Sequence, residues 1–260
     1  MKIAEFYKEL TEFAPLELSE KLCFKDGLTD NSGYIITPKE NEELKGVAFM
    51  LDLTIEGAKY AVKNGCNLIV THHPAIFSPI KRIETSSPLS FCVLNGVSVA
   101  SMHLNFDCAK RGIDFWFSKG LGGDNQLIDE DFGDNTGYGR LFKIEKKTAE
   151  EVVQGYKKAF NTERVFLYGD KNREITKIAS FCGAGLDERA VEVAVCFGAE
   201  MVASADIKHH VLLYALEKGL SVLSCTHYAT ENYGMKKVFG IFADKLKNEK
   251  IIFFDDERLS

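Results

Sequence analysis

The sequence predicts an α/β protein in two lobes. Short β-branched runs alternate with helical stretches, and this alternation occurs twice along the chain. With 260 residues the chain has room for two compact units, since domains of about 100–150 residues are commonest. A stretch rich in Gly, Asp and Asn at 122–140 lies between the two series and reads as a loop and boundary. The expected lobes are therefore 1–124 and 125–260, with 227–260 a candidate to pack back on the first.

In the first series, GVAFMLDL (46–53) reads as a strand and 54–65 as a helix, with Thr54 as its N-cap and Gly65 as its stop. Cys66–Thr71 is a second strand and is followed at once by His72-His73-Pro74. Val97–Met102 is a third strand, with His103 at its end and Asp107 on the next turn. A helix containing Trp116 spans 112–120. The second series begins with a helix near 148–160 and a strand at 176–181, followed by a helix at 186–197 and a strand at 200–203. A helix at 207–218, a strand at 220–224, a helix at 232–246 and a last strand at 251–254 complete it.

Composition narrows the function classes. A net charge of −6 argues against a broad nucleic-acid or anionic-membrane footprint. No apolar run approaches the length needed to span a bilayer and the N-terminal stretch lacks a signal-peptide core, so the expectation is a soluble, cytoplasmic protein. Seven cysteines without a C-x-x-C pair read as reduced core residues. Cys108 and Cys225, beside the histidine motifs, read the same way.

All six histidines fall within THHPAIF (71–77), SMHLNFD (101–107) and the stretch 207–231. His72 and His73 follow a strand, where open parallel sheets form ligand crevices. His103 and Asp107 are spaced so that one turn brings imidazole and carboxylate to the same side, as are His227 and Glu231. Either His103 and Asp107 both coordinate, or Asp107 coordinates while His103 fixes a ligand's orientation by a hydrogen bond. Imidazole and carboxylate together suit zinc, manganese, iron, cobalt or nickel. His72, His73, Asp107, His227 and Glu231 exceed what one open catalytic zinc requires, so two divalent ions are the better count. His209 and His210 lie on a helix and read as structural or as supports that orient ligands rather than as ligands.

THHPAIF, H-x-N-x-D and HYATE, in this order and separated by α/β units, resemble the signature of the Nif-three-like dinuclear metal family, also called the GTP cyclohydrolase I type 2 family. The similarity runs nearly end to end. It implies two facing α/β lobes with a dinuclear metal cleft between them, and a homohexamer. By motif position it implies His72, His73, Asp107, His227 and Glu231 as ligands, with Glu231 bridging. The chain departs from the family pattern in CFKDGLTDNSGY (23–34), in Thr226 where glycine is usual, and in SADIKHH (204–210). These departures bear on substrate choice more than on the ligands.

The expected activity is a hydrolase with metal-activated water as nucleophile, of the GTP cyclohydrolase type or acting on nucleotides or phosphoesters. His103 is the candidate for proton transfer. Lys81-Arg82 and Lys110-Arg111 each follow an anchor motif, and would hold the phosphate or carboxylate of a small anionic substrate such as a nucleotide. The alternative is a non-catalytic metal-binding or regulatory scaffold, since fold analogy does not settle activity.

Overall fold

The computed structural model describes residues 1–24, 27–120, 122 and 124–259. The chain divides into two compact units, Met1–Ala109 with Met235–Arg258, and a second built on Lys110–Gly234. The expected boundary after residue 124 falls inside the second unit. The return to the first unit begins at Met235, within a helix.

The first unit contains α1 (Ile3–Phe13), α2 (Glu17–Phe24), β1 (Gly33–Ile36), β2 (Val47–Met50) and α3 (Ile55–Lys63). It continues with β3 (Leu68–Thr71), α4 (Pro88–Leu94), β4 (Ser98–Ser101) and α5 (Leu104–Cys108). The second unit runs through α6 (Ile113–Lys119), β5 (Asn125–Gly133), β6 (Thr136–Thr148), α7 (Ala149–Phe160), β7 (Val165–Tyr168) and β8 (Glu174–Ser180). Then come α8 (Glu188–Cys196), β9 (Met201–Ala205), α9 (His209–Glu217), β10 (Ser221–Cys225) and α10 (His227–Lys245), which ends in the first unit, where β11 (Ile251–Phe253) follows.

Among the described residues the first unit's sheet has the order β1-β4-β3-β2-β11, parallel except for β1. Parallel strands are covered on both faces, and β2 shows why its sequence is apolar throughout. Ala48 and Met50 pack with Ala58 and Ala61 of α3 on one face. Phe49 points the other way, 6.3 Å from Phe6 of α1 and 5.7 Å from Phe242 of α10. Phe49 is fully buried, so Phe49→Ala would cost about 3–5 kcal/mol. The α3 ends are as the sequence indicates. Thr54 Oγ1 accepts from Gly57 N at 3.1 Å, and Gly65 takes φ +71° where the chain turns into β3.

The second unit's sheet has the order β5-β6-β8-β9-β10-β7 among the described residues, with β8, β9 and β10 parallel and β7 an antiparallel edge. The stretch 122–140 is not the loop its composition indicates. From Asn125 onward it is the β5–β6 hairpin, turned by Asp134 (φ 49°) and Asn135 (φ 60°). Two successive positive φ angles define the turn that matches strand twist, and Asp and Asn tolerate them. The turn residues dominated the composition and hid the strands on either side. No helix of the described residues is long and apolar enough to cross a membrane.

Candidate metal centre

In the first unit the histidines stand at the carboxyl ends of neighbouring parallel strands. His72 and His73 leave β3, and their N–H groups donate to Leu51 O at 3.1 and 3.0 Å, just past β2. Thr71 Oγ1 donates to His73 O at 2.8 Å and so sets the turn. His103 follows β4 and precedes α5, whose short helix carries Asp107. His72, His73 and His103 each offer a nitrogen, and these atoms lie within 4.8 Å of one another. Asp107 Oδ1 is 3.6 Å from His72 Nε2, and both residues are buried.

Each ring is held by its other nitrogen. His72 Nδ1 donates to Met102 O at 3.1 Å, because a carbonyl can only accept. His73 Nδ1 meets Asp52 Oδ1 and His103 Nδ1 meets Asp30 Oδ1, both at 2.7 Å. These contacts occupy Nδ1 of each ring and present its Nε2 to the site, an arrangement usual for metal-binding imidazoles. Burial pushes the Asp30 carboxyl up, but hydrogen bonds from His103 and Ser32, the His103 charge and a hydrogen bond from Ser19 outweigh it, leaving Asp30 at about 2. It is a fixed anion at neutral pH.

The second unit repeats the arrangement. His227 follows β10 and forms the first turn of α10, not the approach to a helix that begins at 232. Thr226 Oγ1 accepts from Ala229 N at 3.2 Å, so threonine in place of glycine serves as a cap. His227 Nδ1 meets Asp206 Oδ2 at 2.7 Å, just past β9, and His227 Nε2 lies 2.9 Å from Glu231 Oε2. Gly183, just past β8, has φ +56°, and a Cβ there would collide with Glu231 Oε1 and come within 3.2 Å of His227 Nε2. Three adjacent parallel strands thus deliver Gly183, Asp206 and His227 to one end of the sheet.

Asp30, Asp52 and Asp206 are the residues the sequence reading missed as site components. They lie in CFKDGLTDNSGY, LDLT and SADIKHH, the first and last of which stand out only as departures from, or variants of, familiar motifs. Lys81 and Arg82 are exposed. Lys110 pairs with Asp134 at 2.9 Å, and Arg111 lies over the Trp116 ring at 5.4 Å. His209 is exposed, and His210 pairs with Glu188 at 3.2 Å on the surface. Cys108 and Cys225 are buried, and burial pushes the Cys225 thiol up to about 12.

In the first unit His72, His73 and His103 form a group that can bind a metal ion, and imidazole nitrogens backed by carboxylates fit a divalent first-row ion. The model of the family described as Duf34/NIF3 (NGG1p interacting factor 3) matches residues 1–258. A Drosophila melanogaster NIF3-like protein 1 is 26% identical, with 98% of this chain and 86% of that protein covered. A Methanocaldococcus jannaschii GTP cyclohydrolase 1 type 2 homolog is 28% identical, with 96% and 98% covered. Among solved structures, reduced HcgD from Methanocaldococcus jannaschii superposes with a TM-score of 0.80 at 27% identity, covering 98% of both chains. A Staphylococcus aureus hypothetical protein, SA1388, shares the fold at a TM-score of 0.87 and 23% identity, covering 98% of this chain and 97% of that one. With the family match running from residue 1 to residue 258, the chain belongs to the DUF34/NIF3 family.

Proposed function

We propose that the protein is a dinuclear-metal-dependent hydrolase in which His72, His73 and Asp107 together with His227 and Glu231 hold two divalent ions. The observation that carries this reading is the repeated ring support. His73, His103 and His227 each have Nδ1 at 2.7 Å from an aspartate, which fixes the ring and aims its Nε2. A surface histidine has no need of such support, whereas a metal ligand does. When bound, the ions would supply Lewis-acid polarisation of the substrate and activation of water.

The chain's own residues supply the rest. Asp52 and Asp206 fix the rotation of the His73 and His227 rings. His103, whose Nδ1 hydrogen bonds to Asp30, takes or returns a proton at Nε2, and the Asp30 anion stabilises the imidazolium so formed. The names of relatives favour GTP cyclohydrolase-type ring opening, with nucleotide or phosphoester hydrolysis as chemistry the same residues serve. The seven cysteines, six of them buried, support a reducing, cytoplasmic setting. Exposed Phe24, Phe77, Leu94 and Phe166 support a homo-oligomer, which we take to be a hexamer.

A second reading is a metal-binding scaffold without turnover, favoured by a family description that refers to an interacting factor. The deciding experiment is elemental analysis of the purified protein with a hydrolase screen in the metal found. Two ions per chain and turnover that vanishes in both Asp107→Ala and Glu231→Ala, with folding retained, support the enzyme. Saturating metal without turnover across nucleotides and phosphoesters supports the scaffold.

A further inference from the structure

The second unit contains a cavity of about 410 Å³ lined by Lys110, Arg111, Phe115, Lys119, Asn125 and Arg140 among others. None of its lining residues belongs to the metal-ligand set. At its base Arg140 of β6 is 2% exposed and is held by two acceptors. Its Nε donates to Asp114 Oδ2 at 2.9 Å and its Nη1 to Asn125 Oδ1 at 3.2 Å, while the guanidinium sits 5.5 Å from the centre of the Phe115 ring. The third nitrogen, Nη2, is buried and has no hydrogen-bond partner. Asn125 is in the same condition. Its Oδ1 is taken by Arg140, and its buried Nδ2 has no acceptor.

Buried donors without acceptors are rare in folded proteins and costly to keep. Two of them on adjoining residues of one cavity call for an acceptor with more than one oxygen. The surroundings select its charge. Lys110 is paired with the exposed Asp134 and Lys119 with Asp124, but Arg111 has no carboxylate partner among the described residues and lies over Trp116. Four cations against one lining carboxylate, Asp124, disfavour a metal ion, and the donor pair disfavours an apolar guest. Arginine with an amide donor is the arrangement that grips phosphate oxygens.

We propose that this cavity is a phosphate-binding site in which Arg140 Nη2 and Asn125 Nδ2 hold the oxyanion, Arg111 supplies unmatched positive charge, and the ligand is a small phosphorylated molecule. The site is independent of the metal reading, and its test separates the two. Binding of inorganic phosphate, AMP and ribose 5-phosphate to the full chain is measured by isothermal titration, before and after treatment with a chelator. Asn125→Asp is the main variant, since it keeps the acceptor for Arg140 Nη1 while replacing the donor with an anion. Arg111→Ala and His73→Ala accompany it, and thermal unfolding checks that each folds. Saturable phosphate binding is expected in both preparations, weakened about tenfold or more by Asn125→Asp and by Arg111→Ala and unchanged by His73→Ala. Tighter binding of AMP than of ribose 5-phosphate would identify a nucleotide, and the reverse a sugar phosphate. Absence of saturable phosphate binding, binding indifferent to Asn125→Asp, or binding lost with His73→Ala would overturn the proposal.

Discussion

His73 Nδ1 lies 2.7 Å from Asp52 Oδ1, so the loop after β2 orients the ring presented by the loop after β3. Asp52 is partly exposed and carries no packing load, so its removal tests orientation alone. Asp52→Ala is expected to lower metal affinity by about 10–100-fold while leaving the unfolding midpoint of the metal-free protein unchanged. Competition against a chromophoric chelator measures it, and an unaltered affinity would remove Asp52 from the site.

Gly183 separates backbone strain from site chemistry. At φ +56° alanine costs about 1–2 kcal/mol, and the same holds at Gly219, with φ +80°. The difference is space. A Cβ at Gly183 meets Glu231 and His227, whereas at Gly219 it meets nothing within 4 Å. Gly183→Ala should therefore destabilise more than Gly219→Ala in denaturant titrations, and only Gly183→Ala should weaken metal binding.

Arg140 and Asp114 form a buried ion pair, 2% and 0% exposed at the side chain. Removing one charge strands the other, so Arg140→Met is expected to cost about 3–5 kcal/mol, while Arg140→Met with Asp114→Leu should recover most of it. Full burial pushes the Asp114 carboxyl up to about 6, held back from a larger rise by the Arg140 charge and by hydrogen bonds from Cys182 N, Arg140 and Gly139 N. Because the folded value lies above the unfolded one, this carboxyl's contribution to stability is fully present below about 3.8 and declines as pH rises through about 6. Stability of the wild type relative to Asp114→Asn should therefore increase on going from neutral pH to about pH 4.

Thiol chemistry should follow burial. Cys196 is exposed and the other six cysteines are buried. Burial raises Cys92 to about 11 and Cys225 to about 12, so both remain protonated at neutral pH. Titration of the native protein with a disulfide reagent should show one fast thiol, and Cys196→Ser should remove it. A fast phase that persisted would show that the buried thiols are reached by local opening.

Much of this fold is legible in the sequence where one signal acts alone. The run before His72 is β-branched and Pro74 closes the turn after it, and Thr54 and Gly65 bracket a helix, so the strand–helix–strand unit is readable without coordinates. His227 and Glu231 are legible as a pair because four-residue spacing is a local property. Their position on α10 is not, because the capping residue Thr226 could equally have closed a loop. Asp52, Asp30 and Asp206 escape because each is a single carboxylate placed by topology, 21, 73 and 21 residues from its histidine. The β5–β6 hairpin is hidden for a different reason. Its turn and flanks contain the same Gly, Asp and Asn that mark an extended loop, and only alternate burial along the strands distinguishes the two.

The pairing of β11 with β2 has a consequence for folding. Strand β2, next to β3 of the histidine-bearing sheet, has its outer neighbour at Ile251–Phe253, far along the chain. Until that part of the chain arrives, β2 is an open edge, and Phe49 lacks Phe242 as a cover. Completion of this sheet therefore waits on a contact between distant parts of the chain, and the edge left open in the meantime is where the folding polypeptide is most exposed to wrong pairing.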